Sequence, residues 1–245
     1  MKRAFFFDLG GTLFSNLMIP RVNGETIIEA GQRLGVEGGF EKVGLAYVTA
    51  AREVNDLYMR RDYYSHRDHF YDTYRAFAKR FGQEADEAFL TWFYEAQREA
   101  MHSGITLRED CVSTLTALRE NGKILSIVSN IDDDYLDGWL IRLDLAVLFD
   151  HWISSEAAQS CKPHHRIFER ALEQAGCVAG EVVFVGDSRI HDIQGARALG
   201  MTTVLLDEKG ASSHLDDIDF EAEPDYVIST LSELLDLDEA RPQGG

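Results

Sequence analysis

The sequence predicts a doubly wound α/β protein: a parallel sheet with helices on both faces and an all-helical segment inserted after the first strand. Two patterns carry this prediction. From residue 104 onward, short β-branched runs alternate with stretches of helical period, as in a parallel sheet whose strands are joined by crossover helices. Residues 16–103 instead repeat apolar side chains every three or four positions with little strict alternation, the mark of successive amphipathic helices.

The elements follow in order. FFFDLGGT, residues 5–12, is a short oily run that meets one acid and then two glycines, so it reads as a buried strand with Asp8 at its carboxyl end. Next, GETIIEAGQRLG, KVGLAYVTAAREVNDLYMRR, FYDTYRAFAKRFG and ADEAFLTWFYEAQREAMHSG read as helices. The alternating part begins with a helix through CVSTLTALRENG, a strand KILSIVSN, a helix DDDYLDGWLIRLDL and a short strand near FDHWISSE. It continues with a helix PHHRIFERALEQAG, a strand EVVFVGDS, a helix IHDIQGARALG, a strand MTTVLLD, and a final strand and helix in PDYVISTLSELLDL. Residues 1–15 and 104–245 are thus expected to form one core and residues 16–103 an insert. An excursion leaving the first strand's carboxyl end belongs over a ligand crevice, as a lid or a specificity surface. The RPQGG tail is expected to fray.

Composition limits the partners. A 245-residue chain with 45% hydrophobic and 27% charged residues is long enough for a sizeable core and is soluble in character. Its net charge of −18 repels nucleic-acid backbones and anionic lipid, so neither is expected as a partner. An anionic small molecule remains compatible, because a bound divalent metal reverses the local field. Cys111, Cys161 and Cys177 are too widely spaced for a zinc site or a disulfide framework, and no signal peptide or membrane span is recognisable, which points to the cytoplasm. Nothing in the sequence indicates the oligomeric state.

The strand ends hold the chemistry. Strand ends of a parallel sheet open on one edge, so Asp8, Ser129 of KILSIVSN and Asp187 of EVVFVGDS converge there, with Asp192 and Lys162 close behind in sequence. Two carboxylates are the number and type of protein ligand that Mg²⁺ commonly takes. Lys162, Ser129 and backbone N–H groups at helix starts suit an oxyanion.

These residues carry a resemblance. Asp8-Leu9-Gly10-Gly11-Thr12, Ser129-Asn130, Lys162-Pro163 and Gly186-Asp187-Ser188 with Asp192 resemble the four ordered motifs of the haloacid dehalogenase-like (HAD) hydrolases, and the helical insert is similar to the family's C1-type cap. The resemblance implies a Rossmann-like core and a covalent aspartyl intermediate that water opens. It implies Asp8 as nucleophile, with Lys162 orienting and neutralising the transferring group. It further implies substrate contacts from Thr12, Ser129, Asn130 and Lys162, and Mg²⁺ held by Asp8, the Gly10 carbonyl, Asp187 and Asp192, the last as a direct or an outer ligand. The substrate implied is a small phosphorylated molecule.

One position departs from the pattern. The family's phosphatases carry a second aspartate two residues past the nucleophile, as general acid and base; here it is Gly10. Acid–base assistance is worth roughly 10² to 10⁴ in rate. Three readings stay open: a Mg²⁺-dependent phosphatase whose proton transfer comes from elsewhere or is little needed, as with an acyl phosphate; a phosphonatase- or dehalogenase-like hydrolase; or a non-catalytic phosphate- and metal-binding regulator. The intact Asp187 argues against a dehalogenase, and the insert's lysines, Lys42 and Lys79, are the candidates a phosphonatase would need.

Other residues read more plainly. Asp132-Asp133-Asp134 are expected to cap a helix, and His164, His165 and His191 to lie in solvent. The aromatics Tyr58, Tyr63, Tyr64, Phe70, Tyr71, Tyr74, Phe77, Phe81, Trp92, Phe93 and Tyr94 are expected to fill the insert's core. Arg60, Arg61 and Arg67 suit a specificity contact or a solvated face.

Overall fold

Four apolar residues without alternation, AFFF, form β1 (Ala4–Phe7), buried on both faces. The computed structural model describes residues 2–59, 61–208 and 223–239. Arg60 and the RPQGG tail lie outside the described residues. The chain divides into two compact units, Met1–Asn16 with Thr106–Gly245, and Leu17–Ile105.

The described residues of Leu17–Ile105 form α1 (Ile19–Arg33), α2 (Phe40–Tyr58), α3 (His66–Lys79) and α4 (Glu87–Gly104). Each start has a local cause. A proline stands in the first turn of α1, the Ser65 side chain accepts from Asp68 N–H at the start of α3, and the Asp86 side chain accepts from Phe89 N–H at the start of α4. The helices pack in a ring, α1 and α3 each against both α2 and α4. Tyr74, Phe77 and Phe93 are fully buried at its centre, with the rings of Tyr74 and Phe93 stacked 4.1 Å apart. Tyr47 and Phe89, absent from the aromatic set read from the sequence, also pack on Phe93. The buried Gln97 satisfies this oily core's polar groups: its Oε1 accepts from Tyr74 at 2.6 Å, and its Nε2 donates to Tyr47 at 2.9 Å.

The other unit is a Rossmann-like α/β core. After α5 (Cys111–Glu120) come β2 (Ile124–Ser129), α6 (Asp133–Arg142), β3 (His151–Ser154), the single turn α7 (Ser155–Ala158) and α8 (His165–Ala175). Then follow β4 (Val182–Gly186), α9 (Gly195–Ala198), β5 (Thr202–Leu206), β6 (Tyr226–Ile228) and α10 (Leu234–Glu239). The strands are parallel, in the order β3-β2-β1-β4-β5-β6. Winding reverses between β1 and β4, and that switch point opens the crevice at the strands' carboxyl ends. Phe7 lies opposite both Ile127 and Val185, so the residues just after β1, β2 and β4 leave the sheet side by side.

Two expectations are corrected. The helix expected from residue 190 opens instead as a π-helical segment, Arg189–Gln194, before the short α9. Ser188 accounts for it, because its carbonyl accepts from both Asp192 and Ile193 N–H while its hydroxyl accepts from His191 N–H. At α6, Asp132 holds the N-cap position without a side-chain cap bond, and Asp133 N–H donates to the Glu156 carboxylate at 2.8 Å. The three cysteines are buried and unpaired with one another. No helix among the described residues is long and apolar enough to cross a membrane.

Candidate active site

The site begins where β1 ends. Asp8 N–H donates to Val185 O at 2.9 Å, extending the ladder by one residue before the chain turns through Leu9–Leu13. Arg108 braces that turn, donating to Thr12 O at 2.9 Å and Gly11 O at 2.6 Å while its guanidinium pairs with Glu208 at 3.0 Å. The fold requires Gly11. Its φ is +82°, and a Cβ there would stand 2.1 Å from Asp187 Oδ2. Gly186 has a similar cause, since a Cβ would meet Asp192 Cγ at 2.3 Å.

Gly10 is different. A Cβ at that position would meet Phe14 at 3.5 Å and Asn16 Oδ1 at 3.7 Å, ordinary contact distances. Packing therefore does not demand a glycine there.

Asp8, Asp187 and Asp192 come together, with one carboxylate oxygen of each within 4.8 Å of the others. Lys162 joins them: its Nζ donates to Asp8 Oδ1 at 2.6 Å and to Asp192 Oδ1 at 2.7 Å, with its side chain 2% exposed. Asp8 Oδ2 lies 3.5 Å from the hydroxyl of the fully buried Thr12, a long contact, and the Leu9 N–H also reaches the Asp8 carboxylate. Asp192 Oδ2 accepts from Ser188 N–H at 3.0 Å, and Asp187 Oδ2 accepts from Asn16 Nδ2 at 3.1 Å.

Three carboxylates against one ammonium leave the cluster short of positive charge. Burial, reinforced by Asp192 and opposed by Lys162, pushes the Asp8 carboxyl up to about 6. Burial and then the charges of Asp8 and Asp192 push Asp187 up to about 8. Burial works against the Lys162 ammonium, yet Asp192 and Asp8 outweigh it and raise its pKa. A hard-oxygen donor set with unbalanced negative charge fits a divalent cation such as Mg²⁺.

Ser129 closes β2 and is buried at the same rim. Asn130, read from sequence as a substrate contact, has its carboxamide engaged elsewhere: Oδ1 accepts from Lys162 N–H at 2.7 Å and Nδ2 donates to Lys162 O at 3.0 Å. His191 is not simply solvated, for its Nδ1 lies 2.9 Å from Lys162 O. His164 caps α8, its Nδ1 accepting from Arg166 N–H at 3.4 Å, and His165 pairs with Glu169 at 3.0 Å. Asn16 and Arg108 carry no sequence signal as site residues, and His191 carries only its place beside Asp192. Each acts on a partner distant in sequence, and only the fold makes them neighbours. In the helical unit, Arg61 lies 4.0 Å over the Tyr58 ring and Arg67 5.0 Å over that of Tyr94.

Comparison with known proteins gives a consistent picture. The profile of the haloacid dehalogenase-like hydrolases matches residues 45–206. The ribulose-1,5-bisphosphate 5-phosphatase of Halopiger xanaduensis is 31% identical over 244 residues, covering 97% of this chain and 99% of that one. The glyceraldehyde 3-phosphate phosphatase of Pyrococcus furiosus is 27% identical over 237 residues, covering 96% and 92%. Among solved structures, a HAD phosphatase from Thermococcus onnurineus superposes with a TM-score of 0.69 at 26% identity, covering 97% of this chain and 98% of that one.

Proposed function

Because the chain belongs to the haloacid dehalogenase-like hydrolase family, we propose that it is a Mg²⁺-dependent phosphatase that releases phosphate from a small phosphorylated metabolite through an aspartyl-phosphate on Asp8. One observation carries the reading. Lys162 grips Asp8 Oδ1 at 2.6 Å and not Oδ2, beside a carboxylate set suited to a cation. The full-length likeness to phosphatases of ribulose 1,5-bisphosphate and glyceraldehyde 3-phosphate supports a substrate of triose to pentose size.

In this reading Asp8 Oδ2 attacks phosphorus, the bond to the leaving oxygen breaks, and water then opens the acyl phosphate to regenerate the carboxylate. Lys162 holds Asp8 in place and offsets charge on the transferring group, so catalysis rests on position and electrostatics. Asp8, Asp187 and the Gly10 carbonyl would hold Mg²⁺, which when bound screens the repulsion between carboxylate and phosphate. Asp192 holds Lys162 and the Ser188 turn, and of the three acids it has the least freedom to ligate. Thr12 supports Asp8, and Ser129, at the end of β2, is the hydroxyl assigned to a phosphate oxygen.

Gly10 supplies no proton to the leaving oxygen. This favours substrates whose leaving group needs little protonation, and it gives the non-catalytic reading its one support. Phosphate release from a panel of sugar, acyl and aryl phosphates, with and without Mg²⁺, decides between them. The expected result is Mg²⁺-dependent release that Asp8→Asn abolishes, with one phosphoryl group trapped on Asp8 in the wild type. Halide release from 2-haloacids without metal would point to a dehalogenase, and binding of phosphate without any turnover to a regulator.

A further inference from the structure

Lys162 is the only cation in direct contact with the acid cluster among the described residues, yet it sits in an irregular stretch between α7 and α8. Its backbone is held by two side chains from other elements. Asn130, just past β2, closes a reciprocal pair on it, accepting from its N–H at 2.7 Å and donating to its carbonyl at 3.0 Å. His191 adds a third bond to that same carbonyl at 2.9 Å. A carbonyl only accepts, so His191 carries its proton on Nδ1. His191 also belongs to the Ser188 turn that positions Asp192, through its own N–H on Ser188 Oγ at 3.1 Å. One imidazole thus ties the base of the lysine to the loop bearing the acid that its tip must reach 2.7 Å away.

We infer that His191, with Asn130, is a positioning residue for catalysis: it clasps the Lys162 backbone so that Nζ stays between Asp8 and Asp192. This rests on the reading of Lys162 as the group that neutralises the reacting charges. Partners that orient functional groups from behind are commonly worth about 10- to 100-fold in activity.

The test compares His191→Leu, which keeps bulk but cannot donate, with His191→Asn, whose Nδ2 falls where Nδ1 lay. For His191→Leu, kcat on the best substrate of the panel falls about tenfold or more while KM changes little; His191→Asn recovers most of it. In a Lys162→Met background, His191→Leu costs less than about twofold more, because the residue through which it acts is already gone. A His191→Leu enzyme with wild-type kcat, an Asn variant no better than Leu, or losses that multiply in the double variant would each overturn the inference. Hydrogen exchange of the Lys162 amide, followed by mass spectrometry, reads the clasp without turnover: it quickens in His191→Leu and in Asn130→Ala. If exchange quickens but the wild type hydrolyses nothing, the phosphatase reading fails and the clasp stands. Unchanged exchange sinks the clasp.

Discussion

Replacing Gly10 by aspartate tests how this site handles the leaving group. A Cβ at position 10 meets its neighbours at 3.5, 3.6 and 3.7 Å, ordinary contact distances, so the branch point of a side chain is tolerated there. The backbone there lies outside the left-handed region, which removes the usual objection to replacing a glycine. General acid–base assistance is worth about 10² to 10⁴ in rate, or about 3–5 kcal/mol of barrier. Gly10→Asp is therefore expected to raise kcat/KM about 100-fold on alkyl phosphates, whose leaving oxygens need a proton, and to change aryl or acyl phosphates little. The assay is Mg²⁺-dependent phosphate release across a graded series of leaving groups. The wild type should show a steep dependence on leaving-group basicity and the variant a shallow one. A folded Gly10→Asp protein with the wild-type slope would refute the idea that position 10 limits proton transfer.

Gly11→Ala should be costly, since its Cβ would sit 2.1 Å from Asp187 Oδ2 at a φ of +82°. Backbone strain alone is about 1–2 kcal/mol, and displacing Asp187 should lower kcat by about 10² or more, measured by thermal unfolding and phosphate release. His69 in α3 has both ring nitrogens buried without a hydrogen-bond partner among the described residues, and burial, then repulsion from His66, lowers its pKa to about 4. The unfolded chain takes up this proton near 6.5 while the fold resists until about 4, so stability falls with decreasing pH across that window, by up to about 3 kcal/mol. His69→Phe removes that loss. Its melting temperature should exceed the wild type's by more at pH 5 than at pH 8, because the loss of unpartnered nitrogens acts at both pH values and the protonation cost only at the lower, and an equal gain at both would refute the assignment. Gln97→Leu should destabilise by about 1–3 kcal/mol in urea unfolding, by stripping the buried Tyr74 hydroxyl of its 2.6 Å acceptor, and adding Tyr74→Phe should recover part of the loss.

Much of the fold was legible because its signals are local. The FFF run before Asp8, the KILSIVS and EVVFVG strands and the helical period of residues 16–103 each reflect burial of a face within one element. The rule that parallel strands end on one edge then brought Asp8, Ser129 and Asp187 together on paper. The π-helical opening at Arg189–Gln194 was not legible, because it depends on the Ser188 carbonyl accepting twice. Nor could sequence show that the Asn130 carboxamide is engaged by the Lys162 backbone rather than offered to a ligand.

By itself, then, the sequence determined which residues could do chemistry and on which strand ends they stand, since periodicity and turn residues report what each segment must bury. The tertiary structure decided which of them touch: Lys162 on Asp8 and Asp192, Asn16 on Asp187, Arg108 beneath the Asp8 turn, and His191 behind Lys162. Such contacts depend on side-chain direction to within an ångström and on the register between strands. No local pattern encodes either, because hydrogen bonds between distant segments form only once the sheet has set both ends in place.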